Sequence, residues 1–214
     1  MRALATILAL VAGGLAVAAD GAASAQAQAQ PGPSGVVESA AKSMLKDLDA
    51  DRAAYRKDPS KVGALVEKYL LPHFDIPYAA RLVLGKHWAG ATPEQRERFA
   101  NAFYRTLVDN YGSALAEFTS DRLKVFPTKV EPNADRATVR TEVTRDNGDH
   151  VPVSYSLRKT EDGWKAWDVV IEGISYVKSF REDFGAAIDQ QGLDAVIERI
   201  EKGNIPAAPK GQKK

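Results

Sequence analysis

Two carboxylates near the end of a predicted strand are the first residues in this chain whose types and spacing could do chemistry. Asp168 and Glu172 stand four residues apart, and the two-residue period of a strand places both on one face. Such a pair can act as acid and base in a proton transfer. Lys165 and the arginines of the neighbouring strands favour a solvated ladder of ion pairs instead. A small-pocket α+β enzyme of the proton-transfer type, using Asp168 and Glu172, is therefore kept as the alternative function.

The other polar motifs do not indicate a catalytic or metal site. His73, His87 and His150 are the only histidines, and no two of them have the spacing of a zinc-binding pair. Ser175 follows Gly173 as in a nucleophile elbow, but the second glycine of that motif is missing. We therefore interpret Ser175 as a helix N-cap. The chain has no cysteine, which excludes thiol catalysis and cysteine-ligated metals, and we expect no metal and no cofactor.

Composition and the N-terminal segment restrict the class of protein. The chain has 214 residues, of which 44% are hydrophobic and 27% charged, as in one globular domain with a core. A net charge of +1 gives no electrostatic argument for a nucleic-acid partner. Residues 1–25 combine Arg2, an apolar run and a small-residue cleavage site, and Asp20 interrupts the run before the roughly 20 residues that a membrane span needs. A cleavable signal peptide on a chain without cysteine favours the periplasm.

Hydrophobic periodicity predicts a single domain over residues 36–205. Residues 26–35 are rich in proline and glycine and are interpreted as a disordered spacer, and residues 206–214 as a disordered basic tail. Apolar positions at helical spacing cover most of residues 36–118, and Thr92 with Gln95 forms a capping box for the longest helix. The spacing changes to two after residue 121 and returns to the helical period from about residue 175.

This order of elements predicts an α+β fold. An antiparallel sheet of about four strands is expected at residues 123–126, 136–144, 151–157 and 164–172. Helices before and after the sheet should pack on one face of it, and a curved sheet covered in this way can leave an apolar pocket. Patterns alone do not distinguish a filled core from a lined pocket.

Two groups of motifs resemble a known family. The first runs from Leu71-Pro72-His73-Phe74-Asp75 through Leu84-Gly85-Lys86-His87-Trp88 and Ala91-Thr92-Pro93-Glu94-Gln95-Arg96 to Phe99-x-x-x-Phe103-x-x-x-Leu107-x-x-x-Tyr111. The second combines Asp168-Val169, Glu172-Gly173-Ile174-Ser175 and Arg181-x-x-Phe184. Together they resemble the MlaC family, also called the toluene-tolerance family, of periplasmic phospholipid-binding proteins that assist an ABC transporter. Trp167 stands where that family often has tyrosine, which affects local packing rather than the assignment.

The resemblance implies a phospholipid carrier rather than an enzyme. Such a carrier moves diacyl phospholipid between the outer and inner membranes and maintains the lipid asymmetry of the outer membrane. The implied partners are an outer-membrane lipoprotein complex and an inner-membrane ABC transporter with an MCE-domain subunit, and the carrier is expected to be a monomer. Two acyl chains exposed to water would cost on the order of 24 kcal/mol at about 0.8 kcal/mol per methylene, so a lipid needs an apolar container to cross the aqueous gap.

The resemblance and the apolar pattern together predict where lipid binds. We expect the acyl chains between the helices and the concave sheet face, and about half of the candidate wall residues to touch lipid. The wall candidates are Phe103, Leu107, Tyr111, Val139, Val143, Val153, Tyr155, Val169 and Ile171. Arg81, Lys86 and Arg181 are candidates for contact with the head group or with partner proteins at the pocket mouth.

Overall fold

A computed structural model describes residues 31–58, 60–115, 119–145 and 147–204 of the chain. Side chains are described over the same ranges except at residues 56, 110–115 and 120. The predicted signal peptide, residues 26–30 of the predicted spacer and the predicted tail lie outside the described residues.

The described part is an α+β fold, as the sequence predicted. Helices precede a five-stranded antiparallel sheet with the strand order β1-β2-β3-β4-β5, and two helices follow it. The helices are α1 Pro33–Ala50, α2 Arg52–Lys57, α3 Ser60–Leu65, α4 Ile76–Leu84, α5 Pro93–Leu115, α6 Tyr176–Gln191 and α7 Leu193–Glu201. The strands are β1 Leu123–Val125, β2 Arg136–Thr144, β3 His150–Thr160, β4 Gly163–Ile171 and β5 Ile174–Ser175. No described helix has a stretch long and apolar enough to cross a bilayer.

Capping side chains determine where several of the helices begin. Thr92 and Gln95 form the predicted capping box, with Gln95 N donating to Thr92 Oγ1 over 3.1 Å and Thr92 N to Gln95 Oε1 over 2.9 Å. Asp75 caps α4 by accepting a 3.1 Å hydrogen bond from Tyr78 N. α1 begins at Pro33, inside the predicted spacer, because proline is favoured in the first turn and Pro33 is buried here.

Strand β5 is the one element of the sheet that the sequence did not predict. It has two residues, and Ile174 pairs with Ile171 while Ser175 pairs with Val170. Glu172 and Gly173 connect β4 to β5 with φ angles of 50° and 83°, the pair of positive values found in tight hairpins. Such a short strand has no periodicity of its own, so only its pairing with β4 reveals it.

A cluster of four phenylalanines forms the centre of the helical core. Phe99 and Phe103 on α5 contact Phe180 and Phe184 on α6, with ring centroids 5.2–5.9 Å apart. None of the four is more than 4% exposed. Helices α4 and α7 enclose the cluster with aliphatic side chains such as Val83 and Ile197. This core lies among the helices and contacts the sheet through Trp167 of β4.

Tyr104 on α5 has a hydroxyl that is shielded from solvent and has no hydrogen-bond partner among the described residues. Burial, with a smaller contribution from the Glu67 carboxylate, raises its pKa from 10.0 to about 12. We expect Tyr104→Phe to stabilise the protein by about 1 kcal/mol in a urea unfolding curve at neutral pH, since it removes an unsatisfied polar group. The raised pKa makes the wild type lose stability as pH rises from 10 through 12, and the variant should lack that loss. Destabilisation of similar size would mean that the hydroxyl has a partner outside the described residues.

Candidate functional site

The inner face of the sheet presents a continuous apolar surface. Along β2 the residues Val139, Thr141 and Val143 are buried while their neighbours on the strand are more exposed. The register places Val143 opposite Val151, and Tyr155 lies between Val139 on β2 and Val169 on β4. Because side chains of paired residues share a face, these valines and Tyr155 lie on the same side of the sheet.

Apolar residues at one end of this face form what we call the inner-face cluster. The cluster consists of Leu123, Val143, Val151, Val153, Tyr155, Val169 and Ile171. Val143, Val151 and Val153 are buried at its base, whereas Tyr155, Val169 and Ile171 are only half-buried. Burial raises the pKa of the Tyr155 phenol, with a hydrogen bond to Thr141 acting in the opposite direction, so the phenol stays neutral at physiological pH.

The other end of the same face is closed by helix α1. Val139, Leu157 and Ala166 are at most 4% exposed and pack with Val37 of α1. A bulge in the β3–β4 pairing shifts the register here, so Leu157 faces Ala166 while Tyr155 faces Val169. The inner face therefore has a filled end and a half-buried end.

The wall candidates divide between this face and the helical core. Five of them belong to the inner-face cluster, namely Val143, Val153, Tyr155, Val169 and Ile171. Val139 lies at the end that α1 closes. Phe103 and Leu107 lie in the helical core, and Tyr111 lies in α5 where side chains are outside the described residues. Val151 and Leu123 also belong to the cluster and were not predicted as wall residues, although the alternation along β3 places Val151 on the same face as Val153.

The three candidate cations lie together on the α4–α6 side of the molecule, and all are exposed. Lys86 Nζ forms a 2.7 Å ion pair with Asp189 of α6. The stem of Arg181 passes over Gly85, where an added Cβ would be 3.1 Å from its Cδ. Within the described residues, Arg81 and Arg181 form no ion pair. Lys86 thus has an exposed ion-pair partner, whereas Arg81 and Arg181 have none among the described residues.

The structure corrects the ion-pair interpretation of Asp168, because both oxygens of this carboxylate are engaged in hydrogen bonds at the start of α6. Asp168 is 5% exposed, and its two oxygens accept hydrogen bonds from Ser175 Oγ at 2.6 Å and Val177 N at 3.0 Å. Ser175 in turn caps α6 by accepting from Lys178 N over 3.1 Å, as predicted. Glu172 follows β4 in the hairpin, is exposed and lies 3.9 Å from Arg145. Asp168 holds the start of α6 against β4, where its negative charge also suits the helix N-terminus.

Because Asp168 anchors α6, replacing it by a residue of nearly the same shape should lower the free energy of unfolding. We expect Asp168→Asn to destabilise the protein by about 1–3 kcal/mol in urea unfolding, because an amide cannot accept both hydrogen bonds and loses the charge at the helix terminus. Glu172→Gln is the matched control and should change stability by less than about 0.5 kcal/mol, as for an exposed ion pair. Equal effects of the two substitutions would contradict the anchoring role.

The histidines lie apart from one another. His87 is 3.5 Å from Asp189 and His150 is 3.0 Å from Glu142. Burial and the nearby Lys165 lower the pKa of His73. Among the described residues, no three side chains of the types that ligate metals come together.

Fold and site define a small α+β protein whose antiparallel sheet carries a half-buried apolar inner face. The chain belongs to the MlaC protein family, whose family model matches residues 38–202. It is 33% identical over 163 residues to the toluene tolerance protein ttg2D of Pseudomonas putida, covering 76% of this chain and 75% of that protein. It is 24% identical over 177 residues to the intermembrane phospholipid transport system binding protein MlaC of Haemophilus influenzae, covering 81% and 83%.

A solved structure has the same fold. It is that of a phospholipid-binding protein from Ralstonia solanacearum in complex with a phospholipid. The TM-score is 0.73 at 24% sequence identity, and the match covers 81% of this chain and 97% of the other. The fold and the family that the sequence predicted are confirmed.

Proposed function

We propose that this protein is a phospholipid-binding transport protein, a carrier and not an enzyme. Its membership of the MlaC family over residues 38–202 carries this conclusion. Relatives of the family are named for phospholipid transport and toluene tolerance, and the Ralstonia protein of the same fold binds a phospholipid. The full occupation of the Asp168 oxygens agrees, since it removes the carboxylate pair on which the enzyme alternative depended.

The acyl chains bind against the inner-face cluster. Its rim residues Tyr155, Val169 and Ile171 are half-buried, so apolar surface there remains to be covered. Covering it with acyl chains removes this surface, together with that of the lipid, from water at roughly 25 cal/mol per Å². The end that α1 closes has no comparable surface, because Val139 and Leu157 are at most 1% exposed. Val143, Val153, Tyr155, Val169 and Ile171 are therefore the wall residues that we propose, with Phe103 and Leu107 in the helical core.

We also propose where the protein works and with which partners. Residues 1–25 direct the chain to the periplasm, where it works as a monomer. There it exchanges diacyl phospholipid with an outer-membrane lipoprotein complex and with an inner-membrane ABC transporter carrying an MCE-domain subunit. Arg81 and Arg181 meet a head group or a partner, because both are exposed and unpaired within the described residues. The intermembrane transport named for the Haemophilus relative supports this proposal.

Native mass spectrometry of protein purified from a bacterial periplasm without detergent tests the carrier function. We expect a mass excess of one diacyl phospholipid, released on denaturation and recovered by solvent extraction. The mass of the released protein also reports whether residues 1–25 have been removed. A lipid-free mass, together with no uptake from labelled vesicles, would overturn the carrier function.

A further inference from the structure

The outer face of the sheet carries a second feature that the lipid pocket does not use. Arg136, Thr138 and Arg140 alternate along β2 on this face and are exposed. An open surface depression of about 420 Å³ lies here, and we call it the outer-face cavity. Its lining residues are Arg136, Ala137, Thr138, Ser156, Leu157 and Trp167. Thr138 pairs with Ser156 across β2 and β3, so the two side chains lie on the same face of the sheet, and both residues line the cavity.

A stacked arrangement holds the Arg136 guanidinium at the edge of this cavity. Arg136 Nη2 donates a 3.0 Å hydrogen bond to Tyr78 Oη, and the guanidinium lies 5.2 Å from the centre of the Tyr78 ring. The Tyr78 ring in turn meets the Trp167 indole edge to face at 5.8 Å. Arg158 lies over the same tyrosine ring but forms an ion pair with Asp75. Arg136 has no carboxylate partner within the described residues, so its remaining donors are available.

The residues that line the cavity supply hydrogen-bond donors and include no acidic side chain. None of the six lining residues is acidic, and the guanidinium of Arg136 and the hydroxyls of Thr138 and Ser156 can all donate. Trp167 Nε1 is also shielded from solvent and lacks an acceptor among the described residues, which is a costly state for a donor. Asp168, opposite Ser156 in the register, does not line the cavity and has both oxygens engaged at α6.

We propose that the outer-face cavity binds a phosphate group. Four donor-bearing side chains exceed what one carboxylate can accept in a compact geometry, whereas a phosphate offers three or four oxygens around one centre. The guanidinium of Arg136 takes two of these oxygens, and the hydroxyls of Thr138 and Ser156 take others. The N–H of Trp167, which lacks an acceptor among the described residues, is the fourth donor that we assign to the ligand. The phosphate is either free or carried by a lipid head group at a bilayer surface.

This site is separate from the proposed acyl-chain site. The side chains of Thr138 and Ser156 point away from the inner-face cluster, since they alternate with Val139 and Tyr155 along the strands. A lipid held on the inner face cannot place its own phosphate in the outer-face cavity through the sheet. Phosphate binding in the outer-face cavity therefore does not depend on the proposed lipid transport.

The test follows the indole N–H signal of Trp167 in a nitrogen–proton correlation spectrum of the protein purified from the periplasm. Trp167→Phe assigns the signal among those of the three tryptophans. Inorganic phosphate is titrated against sodium chloride at constant ionic strength, and we expect a saturable shift of the Trp167 signal and of the Thr138 and Ser156 amides. Arg136→Gln should weaken the phosphate affinity by about tenfold or more, as for loss of a charge-assisted hydrogen-bond pair.

Arg140→Gln is the matched control because it removes the same charge from the same strand and face without touching the cavity. It should weaken the affinity much less than Arg136→Gln does, because Arg140 contributes a partly screened charge but no hydrogen bond in the cavity. The pair Thr138→Val and Ser156→Ala keeps every charge and should weaken binding through lost hydrogen bonds alone. Equal losses in Arg136→Gln and Arg140→Gln, a shift that does not saturate, or an equal saturable shift with acetate would overturn the phosphate site.

Two further titrations distinguish the sources of the phosphate. Dihexanoyl phosphatidylglycerol below its micelle concentration presents the head group without a bilayer, and vesicles of phosphatidylglycerol present it on a surface. Tighter binding of either lipid than of inorganic phosphate, lost in Arg136→Gln, assigns the site to a head group. Tightest binding of inorganic phosphate assigns it to the free ion.

Discussion

Replacing Val169 by tryptophan is expected to remove most of the bound phospholipid from the purified protein, whereas the same change at Val170 is not. Val169 is half-buried in the inner-face cluster, opposite Tyr155. An indole there occupies the space that the proposal gives to the acyl chains. Val170 is also half-buried but pairs with Ser154 and Ser175 and faces the outer side of the sheet. The two variants thus add the same volume to neighbouring positions on opposite faces.

Lipid occupancy is measured by native mass spectrometry and by solvent extraction with phosphate analysis. A loss of about 1.4 kcal/mol in binding would lower the affinity tenfold, and added bulk in a packed site costs about 1–3 kcal/mol. We therefore expect uptake from labelled vesicles to be roughly five- to 150-fold weaker for Val169→Trp, with Val170→Trp close to the wild type. Thermal unfolding of both variants shows whether either change merely unfolds the protein. Equal lipid occupancy in the two variants would mean that Val169 belongs to the protein core and not to the lipid site.

Phe103→Ala should have the largest effect on stability while leaving the lipid site in place. Phe103 is 4% exposed and its ring contacts those of Phe99, Phe180 and Phe184. Truncating a buried phenylalanine costs about 3–5 kcal/mol through lost transfer energy and the cavity left behind. For a domain of this size, such a cost lowers the melting temperature by roughly 10 °C. Calorimetry and urea unfolding measure the loss.

The comparison that assigns Phe103 to core or wall uses Phe184→Ala as its control. Phe184 is fully buried in the same cluster and was not a wall candidate. If Phe103 is core, both variants lose similar stability, and their folded fractions below the melting temperature still carry lipid. Loss of lipid in Phe103→Ala with retention in Phe184→Ala would return Phe103, and its neighbour Leu107, to the lipid-binding wall.

Local patterns in the sequence determined most of the secondary structure. The limits of β2 at Arg136 and Thr144 follow from strict alternation, and the start of α5 follows from the Thr92–Gln95 capping box. Such signals depend on residues within one strand or one helical turn, so they can be read without knowing the fold. The family motifs around Asp168 and Arg181 were also local, and they indicated the correct family.

Only the tertiary structure determined which residues of these elements pack against one another. The bulge at Trp167 lets Ala166 and Val169 face the same side, and pairing between β4 and β5 created a strand too short to have a period. The structure also turned Asp168 from a presumed surface charge into a buried anchor for α6. Phe103 and Val153 have the same apolar character in the sequence, yet one lies among helices and the other on the sheet face. The hydrophobic pattern predicts that a side chain is buried, but the residues it packs against depend on contacts between parts of the chain that are distant in sequence.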